Sequence, residues 1–431
     1  MRRRARTEGY RLRRTDARGP PRARESGCTS VRTAADLEGS YVPISGSAAR
    51  DTGLDPRAGL AAILAGYLEE RPEGNALVSP LSLSLILALL APGATDPTRQ
   101  GFDTLLGAGG EDRNRTWSAI QTSVNRNDGD LEGFDPEEIP EEPLVHLANH
   151  VVIREGVEVS QDYLDTVLRW LDAQIEQVSA RGMKDNLDAW AEHNTGGLIP
   201  SSGINPTQDT VLVLQNALLF AARWSAPFAA EDTSARSFTR ADGSTVQAEL
   251  MHATLQLVHV EGQGWSAVRL DYAGGQADTG EGRALDVVLP EAGTSPAQLD
   301  PATRAAASAA LDEASRAGNS VEVELALPNL DLASPATSLI DALAAQGLDP
   351  VGFEGIAPSV VLTDVLQQVR LLIDEEGTVA AALTEAMETT SGAPPSETVP
   401  FIVDRPYVLR LQDLACGATL LEAAIMDPTA S

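Results

Sequence analysis

The chain has 431 residues, 43% hydrophobic and 22% charged, an ordinary globular composition that excludes collagen-like, mucin-like or wholly disordered sequence. Its net charge of −30 sets the field of the whole molecule against nucleic acid and anionic membrane surfaces. Two cysteines, Cys28 and Cys416, and five histidines are too few for a disulfide framework or a cysteine-rich zinc site.

The first 35 residues hold eleven arginines against Glu8, Asp16 and Glu25, whereas Lys184 is the single lysine of the chain. Residues 1–50 read as a disordered Arg-rich extension, with a nucleic-acid arm or a targeting peptide as the alternative, and residues 51–431 as one domain. No apolar stretch follows the basic residues, so a cytoplasmic location is expected. Leu54–Glu70 has the spacing of a helix. The most apolar run, ALVSPLSLSLILALLAP (Ala76–Pro92), is cut by Ser79-Pro80 and is then too short to span a bilayer. It reads as a strand leading into a buried helix, with Ser79 capping and Pro80 in the first helical position. Pro97–Leu106 and Trp117–Val124 read as further helices, Asn127–Pro143 as an acidic surface loop and Leu144–Ile153 as a strand. Gln161–Trp170 and Asp185–His193 are helical. VLVLQNALLFAARW (Val211–Trp224) has the pattern of a strand buried on both faces. Ala284–Leu289 and Val321–Leu327 are strands on either side of a helix at Ala302–Ala317. Pro335–Ala345 is expected as a helix, and Val360–Ile373, Tyr407–Leu411 and Thr419–Met426 as strands. Helices come early and strands late, without a βαβ alternation, so the fold class is α+β.

Enzyme signatures are absent: there is no G-x-S-x-G, no G-x-x-x-x-G-K-[ST] and no H-E-x-x-H. His146 and His150, four apart on a strand, share one face and could hold a metal with a carboxylate, but paired structural histidines are far commoner. Cys416 has no histidine near it in sequence to make it a nucleophile. The run Asp374-Glu375-Glu376 could serve acid–base work, yet sixty-two acids make such runs inevitable by chance. No metal and no cofactor is expected.

The informative stretch is DEEGTVAAALTEAMETTSGAPPSETVP (Asp374–Pro400), too long for an ordinary loop inside a compact domain and not composed like a Gly/Ser linker in its first half. At strand period two, one parity is Thr378, Ala380, Ala382, Thr384 and Ala386, uniformly small and uncharged, so the segment could slide into a packed sheet as an extra strand. Gly377 before it would supply a backbone pivot.

Here the sequence resembles the serpins, from about Leu54 to Pro428. Glu375, Gly377, Thr378 and Ala380–Ala382 match the family's hinge, and FIVDRPYVLRL (Phe401–Leu411) its signature, with Tyr407 in place of the usual phenylalanine. NALVSPLSLSLILALLAPGAT (Asn75–Thr95) is similar to the buried second helix. LQNALLFAARWSAPFAAEDTSARSF (Leu214–Phe238) looks like the long central strand with the tryptophan of the sheet opening. LDVVLPEAG (Leu285–Gly293) and VELALPNLDL (Val323–Leu332) match shorter blocks. Six blocks in the right order are highly specific.

The resemblance implies a serpin fold: three β-sheets, eight to nine helices and an exposed reactive-centre loop at about residues 376–398. It implies a monomeric suicide inhibitor, not an enzyme, whose loop is cut by a serine or cysteine protease and then inserts into the main sheet while the acyl-enzyme is trapped. The alternative is a non-inhibitory serpin-fold binding or chaperone protein. The implied hinge is Glu375, Glu376, Gly377, Thr378, Ala380, Ala381, Ala382 and Thr384, with Thr378 the first side chain buried on insertion. The scissile bond is expected among Thr390, Ser391, Gly392, Ala393 and Pro394, at Ser391-Gly392 counted from Glu375 and nearer Pro394 counted back from Pro406. Ser79, Ser82, Asn216 and Gln367 fall at the shutter and Trp224 at the breach. Several positions depart from the family pattern. Gln367 stands for a common histidine and is expected to bridge to Asn216 and the serines. Asn329 stands for a lysine, so Glu375 would keep a hydrogen bond without an ion pair. Val379 and Leu383 replace a glutamate and an alanine on the parity that faces outward. No Lys or Arg lies between Arg370 and Arg405, which points to an elastase-like or subtilisin-like protease partner.

Overall fold

The computed structural model describes residues 74–430 except 137, 275–281, 349, 359 and 379–397, together with Tyr41, Ile44 and Gly66. Most of residues 1–73 and the middle of the loop at 374–400 therefore lie outside the described residues.

Strand β1 (Ala76–Val78) leads directly into α1 (Pro80–Leu90). Ser79 is extended at φ −109°, its hydroxyl accepts the Ser82 N–H, and Pro80 occupies the first helical turn, the chemistry that starts a helix abruptly. Nine of its eleven residues are buried, Ser82 and Ser84 included. The reason is that α1 is central, packed on one side against β4 (Leu212–Arg223) and on the other against β17 (Ala418–Ile425). Helices α2 (Thr98–Leu105), α3 (Gly110–Val124) and α4 (Gln161–Leu171) follow, with α5 (Met183–Asn194), α6 (Pro301–Arg316) and α7 (Ile340–Ala345) later. Seven α-helices thus lie among the described residues, fewer than the expected eight to nine; the helix expected over Leu54–Glu70 falls outside them apart from Gly66.

Three β-sheets carry all but two of the named strands. The first has the order β10-β13-β14-β4-β2-β3, formed by Leu330–Ala333, Arg370–Ile373, Gly377–Thr378, β4, Leu144–Arg154 and Ala173–Val178. The other two share the eighteen-residue β6 (Thr245–Gly262). Its first part pairs with β5 (Ser234–Thr239) and β9 (Val321–Pro328), and its last five residues pair with β7 (Trp265–Asp271). From β7 that sheet continues through β8 (Arg283–Pro290), β16 (Tyr407–Asp413) and β17 to β1, while β15 (Val399–Ile402) runs parallel to β9. The α+β class holds.

Several expected elements differ. Val360–Ile373 is not one strand; only β12 (Leu366–Gln367) and β13 are paired. Pro335–Ala345 begins as the strand β11 (Thr337–Ser338), which pairs with β12, and turns helical only at Ile340. β4 is not buried on both faces: Leu212, Leu214, Asn216 and Leu218 are half-buried. No strand is expected from the sequence over Ser234–Thr239 or Thr245–Asp271, because histidine, glutamine and glutamate dilute the apolar alternation there.

Beneath α6 the sheet carries buried ion pairs. Arg269, 2% exposed, bonds Asp286 at 2.6 and 2.9 Å and Asp312 at 2.9 Å. Arg410 bonds Glu422 at 2.9 Å and the Arg304 carbonyl at 2.8 Å. Breaking one partner of such a pair costs more than the pair contributes, because a charge is left in the interior. Asp286→Leu is expected to destabilise the protein by about 3 kcal/mol. The double change Arg269→Met with Asp286→Leu should recover most of that loss, as read from unfolding rates in denaturant.

Candidate functional site

The site is a break in the first sheet. β4 pairs along its length with β2 on one side; on the other, among the described residues, its last two residues are paired, Ala222 with Thr378 and Arg223 with Gly377. β14 in turn meets β13 at a single position, Thr378 opposite Ile373. Below this two-residue wedge β4 and β13 stand apart, and a cleft of about 620 Å³ runs between them, lined by Leu214, Asn216 and Leu218 on one side and Gln368 and Leu372 on the other. The cleft explains the half-burial of β4: its leucines face the main core, yet no described strand lies beside them there.

The wedge is built locally. The Asp374 carboxylate accepts the backbone N–H groups of Glu376 (3.0 Å) and Gly377 (3.3 Å), and Asp374 N–H donates to the Gly377 carbonyl, closing a tight turn between β13 and β14. The backbone of Gly377 is not left-handed; what it supplies in this conformation is close approach, since a Cβ there would meet the Ala222 carbonyl oxygen at 2.2 Å. Thr378 is already inside the sheet, 4% exposed, with its hydroxyl 2.6 Å from that of Tyr272. The expectation that it becomes buried only on insertion is corrected accordingly.

Trp224 holds the turn from outside. Its backbone N–H donates to the Glu376 carbonyl (2.7 Å), its indole N–H to the Asp374 carbonyl (2.9 Å), and its ring stacks on Tyr272 at 4.6 Å. Glu375 accepts from Thr233 (2.5 Å) and from Asn329 (3.2 Å). Burial alone would raise its pKa, but these hydrogen bonds outweigh it and leave the carboxyl below the usual range. Glu376 and Asp374 go the other way, because burial pushes both up. The charges of Asp374 and Glu375 add at Glu376; that of Glu375 adds at Asp374, where the backbone N–H groups of Glu376 and Gly377 oppose it.

Lower in the cleft, the Ser79 hydroxyl donates to the Leu420 carbonyl (2.6 Å) and stands 2.9 Å from the Ser82 hydroxyl. Gln367 does not bridge to Asn216. Its amide binds the backbone of Ser79 on both sides, accepting from the N–H and donating to the carbonyl, each at 2.9 Å. Asn216 lies across the open cleft and donates instead to the Ala148 carbonyl (3.0 Å) and Asn149 Oδ1 (2.9 Å), which leaves its own buried Oδ1 without a partner. Ala380, Ala381, Ala382 and Thr384 of the hinge, and Thr390, Ser391, Gly392, Ala393 and Pro394, lie outside the described residues. Tyr272, Thr233 and Asp271 were not legible as site residues, because no motif brings β7 or the Phe228–Thr233 segment to the hinge; only the fold does.

The family model described as Serpin (serine protease inhibitor) matches residues 60–428. The chain is a serpin. Among its relatives, an uncharacterized serpin-like protein of Thermococcus kodakarensis is 26% identical over 82% of this chain and 81% of its own. Serpin-Z2B of Triticum aestivum is 26% identical over 85% of this chain and 94% of its own. Among solved structures, the thermophilic serpin Tengpin in the native state superposes with a TM-score of 0.71 at 18% identity, covering 93% of this chain and all of Tengpin; that likeness is one of fold. No described helix of this serpin is long and apolar enough to cross a membrane. No group of three or more metal-ligating side chains occurs among the described residues.

Two outcomes follow at the hinge. Gly377→Ala should expel β14, and amide protection at Ala222–Trp224 should fall by about tenfold or more in hydrogen exchange. Asp271, next to Tyr272, has its pKa pushed up to about 6, mainly by burial, with Asp286 adding and Arg269 opposing; its Oδ1 has no hydrogen-bond partner. A carboxyl whose pKa rises on folding favours the fold at low pH, and this contribution is lost as pH climbs from about 4 through about 6. Asp271→Asn should therefore stabilise the serpin at pH 7.5 by about 2 kcal/mol and by much less at pH 4, as read from unfolding at the two pH values.

Proposed function

We propose that this serpin is a suicide-type protease inhibitor whose loop, once cut by a serine or cysteine protease, continues β14 down the cleft as a full strand. The observation that carries the reading is Gly377–Thr378 seated between β13 and β4, with no described residue paired to that edge of β4 below them. Extending that register sets Ala380 opposite Phe220, Ala382 opposite Leu218, Thr384 opposite Asn216 and Ala386 opposite Leu214. Residues directly opposite share a face, so the small parity would lie against the core and Val379 and Leu383 would face outward. Thr384 would bring a hydroxyl to the Asn216 oxygen that now lacks a partner. About ten further residues would pair, at about 1 kcal/mol each, and the half-buried leucines of β4 would leave water. The uncut protein is then kinetically trapped.

The loop offers Met387, Thr389, Thr390, Ser391 and Ala393 before possible cuts and no Lys or Arg between Arg370 and Arg405, which favours elastase-like or subtilisin-like targets over proteases with an Asp-floored pocket. Incubation with a subtilisin-like or elastase-like protease should give a covalent complex that survives denaturant. Fast stoichiometric inhibition of trypsin through a cut in Thr384–Thr398 would refute the specificity. Nicking the loop near Thr390–Pro394 should raise the melting temperature by tens of degrees, since each kcal/mol moves the midpoint of a large domain only a few degrees. Equal melts of nicked and intact chains would favour a non-inhibitory binding or chaperone role.

A further inference from the structure

The stretch that returns from α5 to β4 lines the cleft through Leu198, Ile199 and Ser202–Thr207. At Ser202 it is tied to α5. The Ser202 N–H donates to Asp188 Oδ1 at 2.8 Å, and the Ser202 carbonyl accepts from Lys184 Nζ at 2.7 Å. Lys184, the single lysine of the chain, and Asp188 are themselves paired at 2.6 Å. The Ser202 hydroxyl accepts from Gln215 Nε2 of β4 at 3.3 Å, and the same nitrogen donates to the Leu187 carbonyl of α5. Ser202 is therefore fixed on the face of β4 where Val213 packs against Met183 and Leu187 of α5.

One residue later the chain is on the other wall. The Gly203 N–H donates to Gln368 Oε1 at 2.6 Å, and Gln368 stands on the β13 side of the cleft. A Cβ at Gly203 would lie 2.1 Å from the Ala336 Cβ and 3.1 Å from Gln368 Oε1. The crossing thus depends on the close approach that glycine allows, and a methyl group there would push it off the wall. Two adjacent residues join the β4 wall to the β13 wall.

On β4 this tie stands at Gln215. Above it Leu218–Ala221, and below it Leu212–Leu214, meet no described strand on the cleft edge. Side chains of a strand point alternately to its two faces. A strand laid between β4 and β13 therefore turns every second side chain toward α5, and at the level of Gln215 those side chains run into Ser202–Gly203. The upper cleft can be filled with the crossing in place; the lower cleft cannot.

We infer that Ser202–Gly203 is a strap across the cleft that divides loop insertion into two stages, the second of which waits for Gly203 to leave Gln368. This inference rests on the inhibitor reading. The test is pulsed hydrogen exchange of the full chain after a single cut near Thr390–Pro394. Leu218–Ala221 should gain protection first, and Leu212–Leu214 in a separate, slower phase. Gln368→Leu removes the acceptor and Gly203→Ala drives the crossing off Ala336. Each should speed the slow phase about fivefold, the effect of losing one hydrogen bond, and leave the fast phase unchanged. Adding Ala336→Gly to Gly203→Ala makes room for the methyl group and should return the slow phase toward its wild-type rate, which a general loss of stability would not do. A single phase along all of β4 in the wild-type chain would overturn the strap whether or not the variants fold. So would a slow phase that neither Gln368→Leu nor Gly203→Ala moves. Both of those results leave insertion standing; no gain of protection anywhere along β4 would refute insertion itself, and the strap with it.

Discussion

The free edge of β4 is the constraint on which the rest of this serpin depends. A buried strand edge presents a row of backbone N–H and C=O groups whose natural partner is another strand. Among the described residues that row is answered at two positions, Ala222 and Arg223, by Thr378 and Gly377. The remainder opens onto a cleft beside leucines that face the core but stay half in contact with water. Among the described residues the sheet is therefore incomplete in both hydrogen bonding and apolar burial.

What keeps the wedge short is a collar of interactions at the hinge. The Asp374 turn, the Trp224 bonds to two carbonyls and the Tyr272–Thr378 contact fix the entrance, while Glu375 is moored to Thr233 and Asn329 without an ion pair. Lower down, Gln367 is occupied with the backbone of Ser79 on its own side of the cleft. Among the described side chains lining the two walls, Asn216 has a buried oxygen without a partner, which marks where an inserted strand has a polar group to meet. Trp190 and Ala191 of α5 line the same channel.

Much of this was legible in the sequence, for identifiable reasons. α1 declares itself through Ser79-Pro80 and an unbroken apolar run, and the parity of small residues after Thr378 needs only period-two counting. Asn329 as the partner of Glu375 also follows from the residues at matched positions. The failures share a cause, which is dependence on tertiary placement. Val360–Ile373 has the composition of a strand, but β4 does not pair with it, so only Leu366–Gln367 and Arg370–Ile373 in its C-terminal half take part in sheets. The crowding of Gly377 by the Ala222 carbonyl shows only in the fold. Gln367 and Asn216 are both amides of the right type, and only the width of the cleft shows that they do not meet. Tyr272, which anchors Thr378, sits in a segment with no sequence signal at all.

The central claim is that residues after Thr378 complete the sheet between β13 and β4. The most direct measurement is hydrogen exchange along β4 in intact protein and in protein cut once near Thr390–Pro394. Insertion predicts that amides of Leu212–Ala221 pointing into the cleft become strongly protected after the cut, while those bonded to β2 change little. Unchanged exchange along β4 in the cut chain would contradict it.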